Sequence, residues 1–299
     1  MIKPNKKLEA LTINESLGDI PTHFMKSGSA YRPISDLEQL GEFKDRVIPK
    51  EFRGSPFEYD IWFNTNAIRT VHKWLYTDFL GNGIYIRVPS RPINNRLFNY
   101  IANSDIKIDE ERCKKIVNNF HNKYTLGINP EYYDKVVFLP GTNILHKAKT
   151  LHWDRLKECV NEGYKIKPHP ITQKVWIAKL KLKFGDDVVL DKKVGGFELL
   201  ANCKEVATMQ NSEMGLMALM LDKKLRLVSH PVKDREKNLW TYESFYETVA
   251  GQETKQKLKK LFSAKNSGII FNFDEDAELR LENYLNNFWE YKVTNGWLN

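Results

Sequence analysis

The chain has 299 residues, of which 41% are hydrophobic and 28% charged, with a formal net charge of +8. These are the proportions of a soluble globular protein, large enough for one sizeable domain or two smaller ones. No run of about 18 apolar residues exists, which excludes a transmembrane helix of ordinary length. The three cysteines, Cys113, Cys159 and Cys203, lie too far apart to form a zinc motif or a disulfide framework. Met1 to Lys7 lack the apolar core of a signal peptide. A cytoplasmic setting is therefore expected, the host cytoplasm if the chain is phage-encoded.

Residues 1–58 carry scattered Pro and Gly and little periodicity. From there, Tyr59 to Phe63 reads as a strand, Ala67 to Phe79 as a helix and Gly83 to Val88 as a strand, which predicts a β-α-β unit. Helices are expected over 94–102 and 109–124, the second with apolar Cys113, Ile116, Val117 and Phe120 on one face. The second half alternates regularly. Strands are predicted at 136–139, 164–167, 188–190, 206–209 and 225–229. Helices are predicted near 150–162, 172–184, 197–202 and 213–221. Short apolar strands separated by helices predict a doubly wound parallel sheet. An amphipathic helix is expected over 276–291. The boundary between an acceptor-binding lobe (1–132) and a donor-binding lobe with C-terminal helices (133–299) is placed near Asn129–Lys135.

Candidate chemistry sits where strands end. Pro168-His169-Pro170 fixes a histidine between two prolines, which restricts the backbone on both sides and aims the ring in one direction. The simpler outcome for an isolated His-Pro is a ring satisfied by a neighbouring backbone group. Lys167, one residue earlier, is a further candidate for binding the donor phosphates, although it points to the opposite face of a regular strand. Thr208, Asn211, Ser212, Glu213 and Gly215 span the next strand-to-helix turn. Ser212 is a good N-cap and Glu213 suits the first helical turn. Such a turn offers hydroxyls, amides and a free helix N-terminus to an anion, while Gly215 permits close approach of a ligand or a neighbouring strand. Gly141 and Thr142 follow the first strand of this half and would present backbone amides, but without the spacing of a Walker loop or a dinucleotide fingerprint. Gly195-Gly196 is a further turn suited to contacting a base or sugar.

In the first half, Asp60, Asp78, Asp19 and His23 are the candidates for a general base, and Asp60 and Asp19 are preferred. Between Phe79 and Ser104 the chain carries Arg87, Arg91 and Arg96 and no acid after Asp78. With Tyr85, Phe98 and Tyr100 interleaved, this stretch would suit a polyanion such as nucleic acid. At strand and helix spacing, however, aromatics more often belong to a core. No metal-ligand spacing is present in the sequence.

The segment Val136–Pro231 resembles the donor half of GT-B-type glycosyltransferases of the capsule-polysaccharide and Kdo-transferase kind. The resemblance rests on Lys167–Pro170, then Phe197-Glu198-Leu199-Leu200-Ala201, then Val206 to Leu219, closed by the aliphatic strand Leu225–Ser229. Order and spacing are kept over about a third of the chain. The resemblance implies two Rossmann-like lobes with a cleft between them and a nucleotide-sugar co-substrate held by the second lobe, with no other cofactor and no metal. It also implies that His169, Gly141, Thr142 and the Thr208–Gly215 turn face the donor phosphates. Two positions depart from the pattern, Glu213 in place of Thr or Ser and Met217 in place of Glu. The expected acceptor is a hydroxymethylated pyrimidine in DNA, as in phage DNA glycosyltransferases, with the arginine stretch as a phosphate track. A surface or capsular glycan as acceptor, a nucleotide-sugar epimerase and a non-catalytic nucleic-acid-binding protein are the alternatives.

Overall fold

The computed structural model describes residues 31–33, 61–64, 75–81, 83–87, 91–124, 128–141, 151–210, 212–230, 242–271, 273–277, 279–281 and 283–284. They belong to two compact units. One runs to Asp109 and resumes at Lys260; the other is Glu110–Lys259. The division expected near Asn129–Lys135 thus falls at Asp109, and the C-terminal residues return to the first unit because they supply it with a strand.

In the first unit, strands β1 (Tyr31–Pro33), β2 (Ile61–Asn64), β3 (Leu75–Leu80), β4 (Gly83–Arg87) and β9 (Ile269–Phe271) form one sheet in the order β1-β2-β3-β4-β9. Only β2 and β3 are parallel; the other neighbours are antiparallel. Leu75–Leu80 is a strand where the end of a helix is predicted, so the β-α-β reading fails here. Tyr76, Thr77 and Phe79 favour extended backbone. Leu80 pairs with Gly83 across a two-residue turn that opens on Gly81 at φ +59°, a hairpin geometry that needs such residues. The described strands of this unit form a mixed, largely antiparallel sheet where a second Rossmann-like lobe is expected.

Helix α1 (Arg91–Asn103) buries Phe98 and Ile101 beside Tyr85, and the Tyr85 and Phe98 rings lie 5.7 Å apart. Gly83 faces β9 so closely that a side chain there would begin 2.5 Å from the Ile270 carbonyl oxygen. Of the amphipathic helix expected over 276–291, the described residues 277, 279–281 and 283–284 are helical, with Leu281 and Tyr284 buried.

The second unit carries four parallel strands, β5 (Lys135–Phe138), β6 (Lys165–Lys167), β7 (Glu205–Thr208) and β8 (Lys224–Leu227), in the order β6-β5-β7-β8. Their runs, Val136-Val137-Phe138 and Val206-Ala207-Thr208, are buried throughout, as strands covered on both faces must be. The strand expected at 188–190 is reduced to a parallel bridge, Ile166 to Val189, at the outer edge of β6. Counting that bridge, the order across the sheet is third-second-first-fourth-fifth, that of an open doubly wound sheet whose order reverses between β5 and β7.

The helices α3 (Trp153–Asn161), α4 (Lys174–Phe184), α5 (Gly196–Asn202) and α6 (Glu213–Met220) fall where the sequence predicts them. Leu156 and Cys159 of α3 and Leu180 of α4 join Val137, Ile166 and Ala207 in one core. On the opposite face α6 packs on β7 and β8, and α2 (Glu110–Tyr124) packs on α5 and α6. Helix α6 is apolar nearly all round because it is enclosed on all sides. The unit also contains α7 (Glu243–Val249), and α8 (Thr254–Ser263) crosses into the first unit. Among the described residues no helix is long and apolar enough to cross a membrane.

Candidate functional site

In a sheet of this order, β5 and β7 lie side by side but their connections lead in opposite directions. The carboxyl ends of two such strands flank a crevice in which ligands bind. Here those ends are Leu139-Pro140-Gly141 and Met209-Gln210 with Ser212, and the turn after β6, Pro168-His169-Pro170, adjoins the first of them. A side chain at Gly141 would begin 2.9 Å from Ile171 Cδ1 and 3.9 Å from His169 Nδ1, so the β5 and β6 turns are in contact.

His169 Nδ1 accepts the Ile171 amide at 3.2 Å, and the His169 carbonyl accepts the Thr172 amide at 2.9 Å. The turn therefore fixes both backbone and ring. Desolvation, followed by the charges of Lys167 and Lys123, lowers the His169 pKa to about 4. The residue is exposed as a whole, so water offsets part of that desolvation, but the direction leaves the imidazole neutral at pH 7. With Nδ1 occupied as an acceptor, the single proton sits on Nε2, which is left as a donor.

Lys123, at the end of α2, is a site residue that the sequence does not reveal. Its ammonium lies 2.6 Å from Glu213 Oε1, and Glu213 is 9% exposed. The departure at 213 is thus an acid held by a lysine from another helix. Ser212 caps α6 as expected, its hydroxyl accepting the Met214 amide at 3.3 Å.

Several expected ligand contacts are instead used internally. The Thr208 hydroxyl, fully buried, donates to the Phe138 carbonyl at 3.1 Å and ties β7 to β5. Lys167 is 3% exposed, and its ammonium donates to the carbonyls of Pro168 at 2.7 Å and Lys192 at 2.9 Å, which fastens the β6 turn. Burial lowers its pKa to about 8. Gly215 makes room for the protein itself. A side chain there would overlap the Tyr246 hydroxyl and begin 2.7 Å from Thr208 Cγ2.

Tyr246, from α7, is buried and donates to the Ser212 carbonyl at the start of α6. Burial, then the charges of Glu243 and Glu213, raises its pKa well above the usual phenol value. The phenol therefore packs at the first turn of α6, the turn expected to face an anion, where the Met214 amide is taken by the Ser212 hydroxyl. Met217 is fully buried and takes no part in the site.

Asp60, Asp19, His23, Thr142 and Asn211 lie outside the described residues. Asp78 lies on β3, Arg87 closes β4 and Arg91 opens α1. Arg96 is exposed on α1. Of the interleaved aromatics, Tyr85 and Phe98 are core residues, while Tyr100 is 69% exposed. Gly195 is the N-cap of α5 and Gly196 its first residue, and a side chain at Gly196 would begin 3.7 Å from Met214 Cε, next to the start of α6.

The residues brought together are therefore His169, Gly141, Lys123, Glu213 and Ser212, with Lys167 and Thr208 fixing the strand ends behind them. Among the described residues no group of three or more His, Cys, Asp or Glu side chains is placed to hold a metal ion. No protein-family model matches this chain, and no curated protein matches it.

Proposed function

We propose that the chain is a nucleotide-sugar-dependent glycosyltransferase whose acceptor is a hydroxymethylated pyrimidine in DNA. The observation that carries this reading is the neutral His169, held by its own turn against Gly141 beside the β5–β7 crevice, with Lys123 within electrostatic reach. A fixed N–H donor with an ammonium nearby, at the carboxyl edge of a doubly wound sheet, suits a sugar diphosphate. The resemblance around Lys167–Pro170 and Val206–Leu219 supports the same ligand.

In the reaction, the acceptor oxygen forms a bond to the anomeric carbon. The bond from that carbon to the donor phosphate oxygen breaks, and its electron pair leaves with the nucleotide. His169 Nε2–H donates to a phosphate oxygen and becomes more effective as charge develops there, and Lys123 adds a positive field. The acceptor proton passes to a carboxylate, for which Asp60 and Asp19 are the sequence candidates. The GT-B character of the proposal rests on the donor-type sheet of Glu110–Lys259. The net charge of +8 and the exposed Arg96 favour a polyanionic acceptor.

A nucleotide-release assay on duplex DNA containing hydroxymethylated cytosine tests the proposal. His169→Ala is expected to reduce turnover by roughly 10²–10³-fold, as loss of a charge-stabilising donor does, while DNA affinity holds. Unchanged turnover in the variant would contradict the assignment.

A further inference from the structure

Helix α4 (Lys174–Phe184) buries Leu180 outright, with Ile177 and Phe184 packed against the same core. Its outer side is neither covered nor wholly polar. Val175 is 54% exposed and Leu182 91%, and Ala178 between them is exposed as well. Spacings of three and four residues set these side chains in one row along the helix. Ile171, in the turn that leads into α4, adds a further apolar side chain at 70% exposure. Among the described residues seven large apolar side chains are exposed, and three of them, Ile171, Val175 and Leu182, stand on this helix or its entry. Apolar residues exposed singly are ordinary, but a row of them marks a surface that a partner covers.

The charges around the row identify the partner. Helix α4 carries Lys174, Lys179, Lys181 and Lys183 and no acid. At helical spacing Lys179 and Lys183 flank one side of the row, and Lys174 and Lys181 the other. The nearest acid in the sequence, Asp186, pairs with Lys181 at 3.0 Å. The Lys179 ammonium lies 4.7 Å from the centre of the half-buried Trp176 ring, and the Lys183 ammonium 4.7 Å from that of the half-buried Trp153 ring. A second copy of this helix would set lysine against lysine. A nucleic-acid duplex would answer the lysines and leave the apolar row between them without a counterpart. An anionic membrane answers both, with phosphates for the lysines and acyl chains for the row, and tryptophan beside lysine suits the boundary between the two. A convex row also needs no shaped pocket in a fluid layer.

We propose that α4 docks the protein on a membrane surface rich in anionic lipid. Val175, Ala178 and Leu182 enter between the headgroups, and the flanking lysines meet the headgroup phosphates. The inference goes beyond the reading of the donor site and does not depend on which hydroxyl accepts the sugar.

The test is co-sedimentation of the full chain with vesicles of phosphatidylcholine alone and of phosphatidylcholine and phosphatidylglycerol in equal parts. A plain DNA duplex is titrated in parallel. The wild-type protein is expected to bind the mixed vesicles at least about tenfold more tightly than the neutral ones, and less tightly as salt is raised. The double variant Val175→Gln, Leu182→Gln is expected to weaken that binding by at least about tenfold, since both side chains lose their apolar contact. The double variant Lys179→Gln, Lys183→Gln is expected to weaken it by roughly fivefold per lysine. All four side chains are exposed, so thermal melting should stay within a few degrees of wild type. Absence of vesicle binding, or equal binding to neutral and mixed vesicles, would overturn the proposal. So would full vesicle binding by the Val175→Gln, Leu182→Gln variant. Duplex binding that falls with the lysine substitutions, without binding to vesicles, would assign α4 to nucleic acid instead.

Discussion

Gly215→Ala is a test in which the sign of the effect decides. Inside a helix, alanine normally stabilises relative to glycine by about 0.5–1 kcal/mol, because glycine loses more backbone freedom on folding. At Gly215 the added methyl would overlap the Tyr246 hydroxyl and begin 2.7 Å from Thr208 Cγ2 and 3.0 Å from Tyr246 Cζ. Neither neighbour can give way cheaply. Thr208 is held by its bond to the Phe138 carbonyl, and Tyr246 by its burial and its bond to the Ser212 carbonyl.

Overpacking of a rigid core costs about 1–3 kcal/mol. After subtracting the propensity gain, Gly215→Ala should destabilise by about 1–2 kcal/mol, read as a lower urea midpoint at unchanged slope. Tyr246→Phe alone should cost about 1 kcal/mol by removing one buried hydrogen bond. The double variant should be less destabilised than the sum, by at least about 0.5 kcal/mol, because removing the hydroxyl relieves the overlap. A stabilised Gly215→Ala, or strictly additive costs, would refute the close packing of the phenol at the start of α6.

Further outcomes follow from the same geometry. Lys123→Met should raise the His169 pKa, read from its imidazole proton shifts by NMR. It should also destabilise by about 1–2 kcal/mol, since Glu213 loses its partner in a pair only partly open to water. His169, with its folded pKa lowered to about 4, binds fewer protons folded than unfolded between that value and the ordinary histidine range. Its contribution is therefore complete above about pH 6.5 and lost as pH falls towards 4. Urea midpoints from pH 7 to 4 should accordingly fall more for wild type than for His169→Gln. Gly83→Ala should cost about 2–3 kcal/mol, because the methyl would meet backbone atoms of Ile270 and Phe271. Amide exchange at Ile269–Phe271 should speed up in that variant, since β9 is the strand displaced.

The parallel sheet is legible in the sequence because strands buried on both faces leave short apolar runs, such as Val136–Leu139 and Val206–Met209, between helix-length segments. The same reading fails in the first half. Leu75–Leu80 follows a stretch with helical spacing, and its extended backbone depends on pairing with β2 and β4. The Gly81-Asn82-Gly83 turn was the available signal for the hairpin. Strand β9 has three residues and finds its partner far back in the chain, which no local pattern discloses.

In the site, His169 is legible because two prolines flank it, and Ser212 because capping is a local property. Lys123 and Tyr246 are not legible, since tertiary packing alone brings α2 and α7 to the start of α6. Thr208 and Gly215 look like ligand contacts from the sequence because a hydroxyl and a bare glycine suit a ligand and a neighbouring residue equally well. In the fold the neighbours claim both.

The most direct measurement mixes the full chain with a panel of nucleotide sugars, with and without DNA containing hydroxymethylated pyrimidines, and weighs the nucleosides and nucleotides formed. Glycosyl transfer to DNA predicts that one donor adds a single sugar to the modified base, with release of its nucleotide in equal amount. Conversion of a nucleotide sugar without acceptor, transfer only to a glycan, or no turnover of any donor would contradict the assignment.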